Sequence, residues 1–107
     1  MLIENGADVN HANMRGNTPL SLASQYGYLD IIELLIKKGA HVNKPNIDGQ
    51  IPLSLASKNG HFECVKLLIQ KNSNINHIDN MKRTPLKLAK DSNYMDCFVL
   101  LKQYGAI

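Results

Sequence analysis

Apolar residues along the chain recur at helical spacing, in paired segments separated by short polar turns. In the clearest segment, Phe62, Val65 and Leu68 form one apolar stripe along a predicted helix. A shorter apolar group begins at Pro52, a residue that suits the first position of a helix because no N–H is needed there. Gly60 lies between the two groups and favours a left-handed helix end. The pattern therefore predicts two helices joined by a tight turn.

This helical pair recurs with a fixed period along the chain. The tripeptide TPL at residues 18–20 returns as IPL and then again as TPL, each time 33 residues further on. The pentapeptide GADVN at residues 6–10 returns with the same period as GAHVN and, weakened, as NSNIN. Self-similarity at such a period is typical of solenoid architectures. We therefore predict one domain of three units, at about residues 6–38, 39–71 and 72–104.

These motifs resemble the ankyrin repeat, whose pattern runs roughly G-x-T-P-L-H-x-A-A-x-x-G-H-x-E-V-V-x-L-L-L-x-x-G-A-D-V-N. The matching stretches, residues 16–43, 49–76 and 82–107, cover most of the chain. The resemblance implies an all-α solenoid of stacked antiparallel helix pairs. It also implies β-hairpin-like fingers that project at about a right angle, and a concave face made by the fingers and the first helices.

The chain departs from the family pattern near the start of each first helix. Ser21, Ser54 and Lys87 replace the His of T-P-L-H. The resemblance then implies that the hydrogen bonds of that His between repeats are absent or replaced by weaker hydroxyl contacts. Ile51 replaces a capping Thr, at an expected cost of about 1 kcal/mol.

Further departures cluster in the third unit. Lys82 and Asn93 stand where Gly is usual, and Lys102 replaces an apolar residue of the second helix. Asn tolerates the left-handed conformation better than Lys, so Lys82 is the harder change. Polar replacement on an outer face is typical of a capping repeat, so we expect the C-terminal unit to be a cap.

The first residues of the chain match the interior of a second helix. Residues 1–5 align with residues 34–38. We therefore expect a remnant of a preceding repeat, from a longer array or a shortened reading frame. An uncovered apolar surface on the first complete unit would then allow self-association.

Composition and charge narrow the function classes. The formal net charge is +3, and acidic residues interrupt the basic ones, which does not favour nucleic acid as a ligand. No apolar run is long enough to span a membrane, and no signal peptide opens the chain. A protein partner, which the ankyrin resemblance implies, is left as the expected ligand. Reduced thiols at Cys64 and Cys97 would fit the cytoplasm or nucleus.

Residue types that often act in catalysis or metal binding occur here mainly at equivalent positions of the repeats. Cys64 and Cys97 are 33 residues apart, which predicts two buried free thiols, because adjacent repeats stack too far apart for a disulfide. A metal or redox role is the alternative. The histidines do not converge, and the acidic residues at the second-helix starts, Asp30, Glu63 and Asp96, complement helix dipoles. We therefore predict no catalytic, cofactor or metal site and no enzyme activity.

The resemblance places partner contacts on the finger tips and the first helices. The positions that match are Met14, Arg15, Asn17, Tyr26, Ile47, Asp48, Gln50, Lys58, Met81, Arg83 and Lys87. Arg15, Tyr26 and Arg83 are the preferred anchors, because interfaces favour Arg and Tyr. The apolar tips Met14, Ile47 and Met81 either contact a partner or pack against neighbouring fingers.

Two functions follow from the resemblance. The first is a protein-interaction module of a scaffold or adaptor. The alternative is the targeting module of a longer enzyme or host-directed effector, whose catalytic domain lies outside this chain. The resemblance also matches Asn10, Asn43 and Asn76 to the Asn that asparaginyl hydroxylases modify. Their expected structural role is a hydrogen bond within the turn.

Overall fold

The computed structural model describes residues 8–107, so the predicted repeat remnant at residues 1–5 lies outside the described residues. Six α-helices follow one another along this part of the chain: α1 (Pro19–Tyr26), α2 (Leu29–Lys37), α3 (Pro52–Lys58), α4 (Phe62–Gln70), α5 (Pro85–Asp91) and α6 (Met95–Gln103). No strand occurs among these residues. Each first helix packs on the second helix of its own unit, and successive units stack side by side. The predicted all-α solenoid is confirmed.

Each first helix begins at a proline, as the sequence predicts. Thr18 Oγ1 accepts a hydrogen bond from the backbone N–H of Ser21 at 3.2 Å and so caps α1. Helix α3 lacks this cap, because the side chain of Ile51 carries no acceptor. Instead, Ser54 Oγ accepts a bond from the backbone N–H of Ile51 at 3.3 Å, which is half of a capping box.

The serines that replace the family His bond only within their own repeat. Ser21 Oγ lies 3.1 Å from Thr18 Oγ1, and Ser54 contacts Ile51 as described above. Two other histidines connect neighbouring repeats. His61 Nε2 lies 2.9 Å from the carbonyl oxygen of Gln25, and His77 Nε2 lies 2.8 Å from that of Gly49. His61 therefore bonds to the preceding repeat and not only within its own turn.

The asparagines of the G-A-x-V-N motif also connect neighbouring units. Asn43 Oδ1 accepts a bond from the backbone N–H of Asn74 at 2.7 Å, and its Nδ2 donates to the carbonyl of Asn72 at 3.3 Å. Asn10 makes the same two bonds one repeat earlier. Asn76 Oδ1 likewise accepts from the N–H of Ile107 at 3.0 Å. The expectation of bonds within one turn is therefore wrong, because these amides reach the following turn.

A continuous core runs through the stack between the two layers of helices. Equivalent positions in successive units, such as Ile32 and Val65, or Leu20 and Leu53, are fully buried. The first helices lie closer to one another than the second helices do. This difference bends the stack, so the first helices and the fingers line its concave side.

Candidate functional site

The concave side of the first two units holds a groove of about 380 Å³. We call it the concave groove. It lies between the first two fingers and the helices α1 and α3 that follow them. Its lining is Asn13, Arg15, Asn17, Leu22, Gln25, Tyr26, Asn46, Asp48, Gln50, Leu55, Lys58 and Asn59. Polar side chains dominate this lining, which suits a peptide surface better than a purely apolar ligand.

Each finger is shaped by one side chain that accepts two backbone hydrogen bonds. In the second finger, Asn46 Oδ1 accepts from the N–H groups of Asp48 and Gln50, both at 3.0 Å. The backbone N–H of Asn46 donates to the carbonyl of Gln50 at 3.0 Å, which closes the finger like a hairpin. Asn13 and Asp79 perform the same function in the other two fingers. The tips are therefore held in fixed positions.

Hydrogen bonds also join one finger to the next. Asn46 Nδ2 donates to Asn17 Oδ1 at 3.0 Å, and the backbone N–H of Ile47 donates to the carbonyl of Arg15 at 2.9 Å. Asn80 N–H donates to the carbonyl of Asp48 at 3.0 Å in the same way. The three fingers therefore form one connected edge along the stack.

Asp79 is a buried carboxylate at the base of the third finger. Its Oδ2 accepts bonds from Gln50 Nε2 at 3.1 Å and from Arg83 Nε at 2.9 Å. Burial alone would raise the pKa of Asp79. Hydrogen bonds from the backbone of Arg83 and Met81 and from the side chains of Gln50 and Arg83 outweigh burial and lower it. Asp79 is therefore charged at neutral pH and ties the second finger to the third.

Two residues that were predicted to contact a partner instead stabilise the fold. Gln50 is only 3% exposed and bonded to Asp79, so its assignment to an exposed finger tip is wrong. Arg83 keeps part of its surface, but its guanidinium compensates the buried Asp79 carboxylate. Replacement of Arg83 would therefore affect the fold as well as any partner contact.

The apolar finger tips are largely exposed. Met14 is 99% exposed, Ile47 58% and Met81 71%. Of the two interpretations left open by the sequence, this exposure favours contact with a partner over packing against neighbouring fingers. Tyr26 is also exposed, and its ring lies 6.1 Å from that of Tyr28, centroid to centroid.

Comparison with known protein families identifies the fold. A family model described as ankyrin repeats (3 copies) matches residues 42–107, and a second one, ankyrin repeats (many copies), matches residues 2–56. The chain belongs to the ankyrin-repeat family. A comparison with curated proteins gave no match.

The ankyrin-repeat stack brings together about half of the predicted contact residues. Arg15, Asn17, Tyr26, Asp48, Gln50 and Lys58 line the concave groove. Met14, Ile47 and Met81 lie at the exposed tips beside it, whereas Lys87 lies in a different depression at the third repeat. The groove therefore spans two repeats rather than the whole concave side.

Sequence reasoning missed the apolar floor of this groove. Leu22 and Leu55 line it, but neither was among the predicted contact residues. They follow Ser21 and Ser54 in the L-S-L-A motif, so their equivalent register was the available signal.

The cysteines of the ankyrin repeats are free and buried, as predicted. Burial raises the pKa of the Cys64 thiol, and the neighbouring Glu63 adds to this effect. Burial, together with Asp96 and Cys64, raises the pKa of Cys97 to about 12. Both sulfurs are therefore protonated thiols at neutral pH and poor nucleophiles.

Metal-binding clusters and membrane-spanning helices are both absent from residues 8–107. No group of three His, Cys, Asp or Glu side chains there could hold a metal ion. None of the described helices is long and apolar enough to cross a bilayer.

Proposed function

We propose that this chain is an interaction module of the scaffold or adaptor type, and that it binds a protein partner through the concave groove and the adjacent finger tips. Ankyrin repeats are generally protein–protein interaction modules, and ankyrin-repeat domains are typically non-catalytic. The finer assignment to this groove and these tips rests on the geometry described above. The reduced, buried thiols favour the cytoplasm or nucleus as the compartment.

The exposed apolar tips are the observation that carries this proposal. Met14, Ile47 and Met81 lie at three successive tips of one connected edge, and most of each side chain is exposed to water. A single exposed apolar residue needs no explanation, but a row held rigidly beside a groove does. Met is enriched at interface centres because its flexible side chain adapts to varied surfaces.

The groove beside the tips supplies polar and charged contacts. Arg15 and Lys58 provide positive charge, Asp48 provides negative charge, and Tyr26 provides an exposed aromatic ring. Arg and Tyr dominate binding energy at many interfaces because they combine large area with directional hydrogen bonds. None of these four side chains makes a side-chain hydrogen bond or ion pair to another described residue, so they are available to a partner.

The test compares partner capture by matched variants. A tip variant, Met14→Ser/Ile47→Ser/Met81→Ser, and a groove variant, Arg15→Ala/Tyr26→Ala/Lys58→Ala, are used as bait with the wild-type chain. The control is Met95→Ser/Val99→Ser, which removes exposed apolar side chains from α6, away from the fingers. Arg83 is left intact because of its bond to Asp79.

We expect both site variants to lose the proteins that wild type and control retain, as measured by quantitative mass spectrometry. Unfolding curves of all variants must coincide within about 1 kcal/mol, as is usual for surface substitutions. Retention of the same partners by both site variants would exclude this surface.

A further inference from the structure

A second surface of the molecule, on the outer side of the third repeat, concentrates positive charge around an apolar floor. A depression of about 400 Å³ there is lined by Lys82, Thr84, Leu86, Lys87, Lys90, Phe98, Lys102 and Ile107. We call it the lysine patch. Its four lysines are exposed, and no Asp or Glu side chain is among its lining residues. This surface shares only Lys87 with the predicted concave contacts.

The lysines occupy positions whose equivalents in the other repeats are buried or partly buried. One repeat earlier, the equivalent residues are Gly49, Ser54, Ser57 and Ile69. Ser54 and Ser57 are fully buried, and a Cβ on Gly49 would lie 2.8 Å from the backbone nitrogen of Asn80 in the next finger. The patch is therefore the face on which another repeat would stack, and not an ordinary outer helix surface.

Another repeat stacked in the same way would be crowded at this face. Lys82 has φ +64° and Asn93 has φ +66°, so both keep the left-handed backbone of the glycines they replace but carry a side chain. A Cβ on Gly60, the equivalent of Asn93, would lie 2.3 Å from the Tyr94 ring of the following repeat. The side chains of Lys82 and Asn93 therefore occupy the space that a further repeat needs.

The charge of the patch is largely uncompensated. Lys87 pairs with Asp91 at 3.3 Å, but no ion pair among residues 8–107 engages Lys82, Lys90 or Lys102. A polar cap needs no single sign of charge, since mixed charges solvate a face equally well. Like charges around a low-dielectric floor instead attract an anionic ligand.

We propose that the lysine patch binds an acidic peptide segment that carries a large apolar side chain. The carboxylates of the segment pair with the ammonium groups of Lys82, Lys90 and Lys102. Its apolar side chain covers Leu86, Phe98 and Ile107. The apolar floor favours a peptide over a nucleic acid, whose phosphates would use only the lysines.

The test measures fluorescence anisotropy of a short labelled peptide rich in Glu with one central Phe, titrated with the full 107-residue chain. Two companion peptides replace either every Glu by Gln or the Phe by Ala. The patch variant is Lys82→Gln/Lys90→Gln/Lys102→Gln. The charge-matched control is Lys38→Gln/Lys66→Gln/Lys71→Gln, which alters exposed lysines elsewhere on the stack.

We expect the acidic Phe peptide to bind the wild type, and the patch variant to lose about tenfold in affinity from three exposed charge pairs. The control should stay within about twofold of the wild type, and both companion peptides should bind more weakly. Lys87 is untouched and the concave groove is intact, so this result is independent of the proposed groove.

Three results would overturn the proposal. The first is equal loss of peptide binding by the patch variant and the control, which would indicate a general charge effect. The second is tighter, lysine-dependent binding of a labelled oligonucleotide than of the peptide. The third is a lysine-dependent doubling of mass in light scattering, which would assign the patch to a second copy of this chain.

Discussion

Gly60 gives the sharpest test of how the repeats pack, because two separate demands meet at this position. Its φ of +73° is in the left-handed region, and a Cβ there would lie 2.3 Å from Cδ1 of Tyr94 in the next repeat. Gly60→Ala therefore imposes both backbone strain and a clash between repeats. Gly39 separates the two effects, since its φ is +95° and a Cβ would meet no atom within 4 Å.

The expected cost follows from these two contributions. A left-handed backbone costs an L-residue about 1–2 kcal/mol. Overpacking costs about 1–3 kcal/mol, and the lower end applies because the Tyr94 ring is 39% exposed and has room to turn. Gly60→Ala should therefore lower the free energy of unfolding by about 2–3 kcal/mol. In a domain of this size, this corresponds to a Tm decrease on the order of 15 °C.

Urea unfolding followed by circular dichroism measures this cost in a double-mutant cycle. Gly60→Ala should destabilise the chain more than Gly39→Ala does. In the Tyr94→Ala background the cost of Gly60→Ala should fall to about 1–2 kcal/mol, since only backbone strain remains. If Gly60→Ala costs the same in both backgrounds, the close approach of Tyr94 does not explain the glycine.

Three further predictions concern single buried groups. The lowered pKa of Asp79 means that its contribution to stability is present above the ordinary pKa of 3.8 and is lost as pH falls through the lower folded value. As the pH falls, the free energy of unfolding should therefore decrease less for Asp79→Asn than for the wild type. An equal decrease in both proteins would contradict the ion pair. Cys64 and Cys97 should react with a thiol reagent at pH 8 only after urea is added, and rapid labelling of the native chain would contradict their burial. Ser73→Ala should raise the free energy of unfolding by about 1 kcal/mol, because its buried hydroxyl has no hydrogen-bond partner among the described residues; a decrease would indicate that this hydroxyl is bonded.

The helices could be predicted from the sequence because apolar spacing and turn residues act locally. The stripe from Phe62 and the proline at residue 52 located α4 and α3, and the observed ends differ by a residue or so. The left-handed backbone at Lys82 and Asn93 also followed from their register with glycines, and both have positive φ.

The pairing of polar side chains between fingers could not be predicted in the same way. Gln50 shares a register with the partly exposed Asn17, and its burial depends on the carboxylate of Asp79 in another finger. Likewise, the bonds of Asn43 to the following turn arise from stacking geometry. Periodicity indicates which face is buried, but it does not indicate which donor meets which acceptor across two repeats.

The extent of the concave groove could not be predicted from the sequence either. The register positions that line it recur in every repeat, so the pattern placed Lys87 and Lys58 on one continuous surface. In the structure, Lys58 lines the groove while Lys87 pairs with Asp91 and faces the lysine patch. A repeated register thus predicts equivalent positions but not equivalent surroundings.

Hydrogen–deuterium exchange of the chain with and without its captured partner shows directly which surface the partner covers. We expect slower exchange of backbone amides at residues 13–17 and 46–50 and in α1 and α3 when the partner is bound, with α2, α4 and α6 unchanged. Protection confined to α2, α4 and α6, with the fingers unaffected, would contradict it.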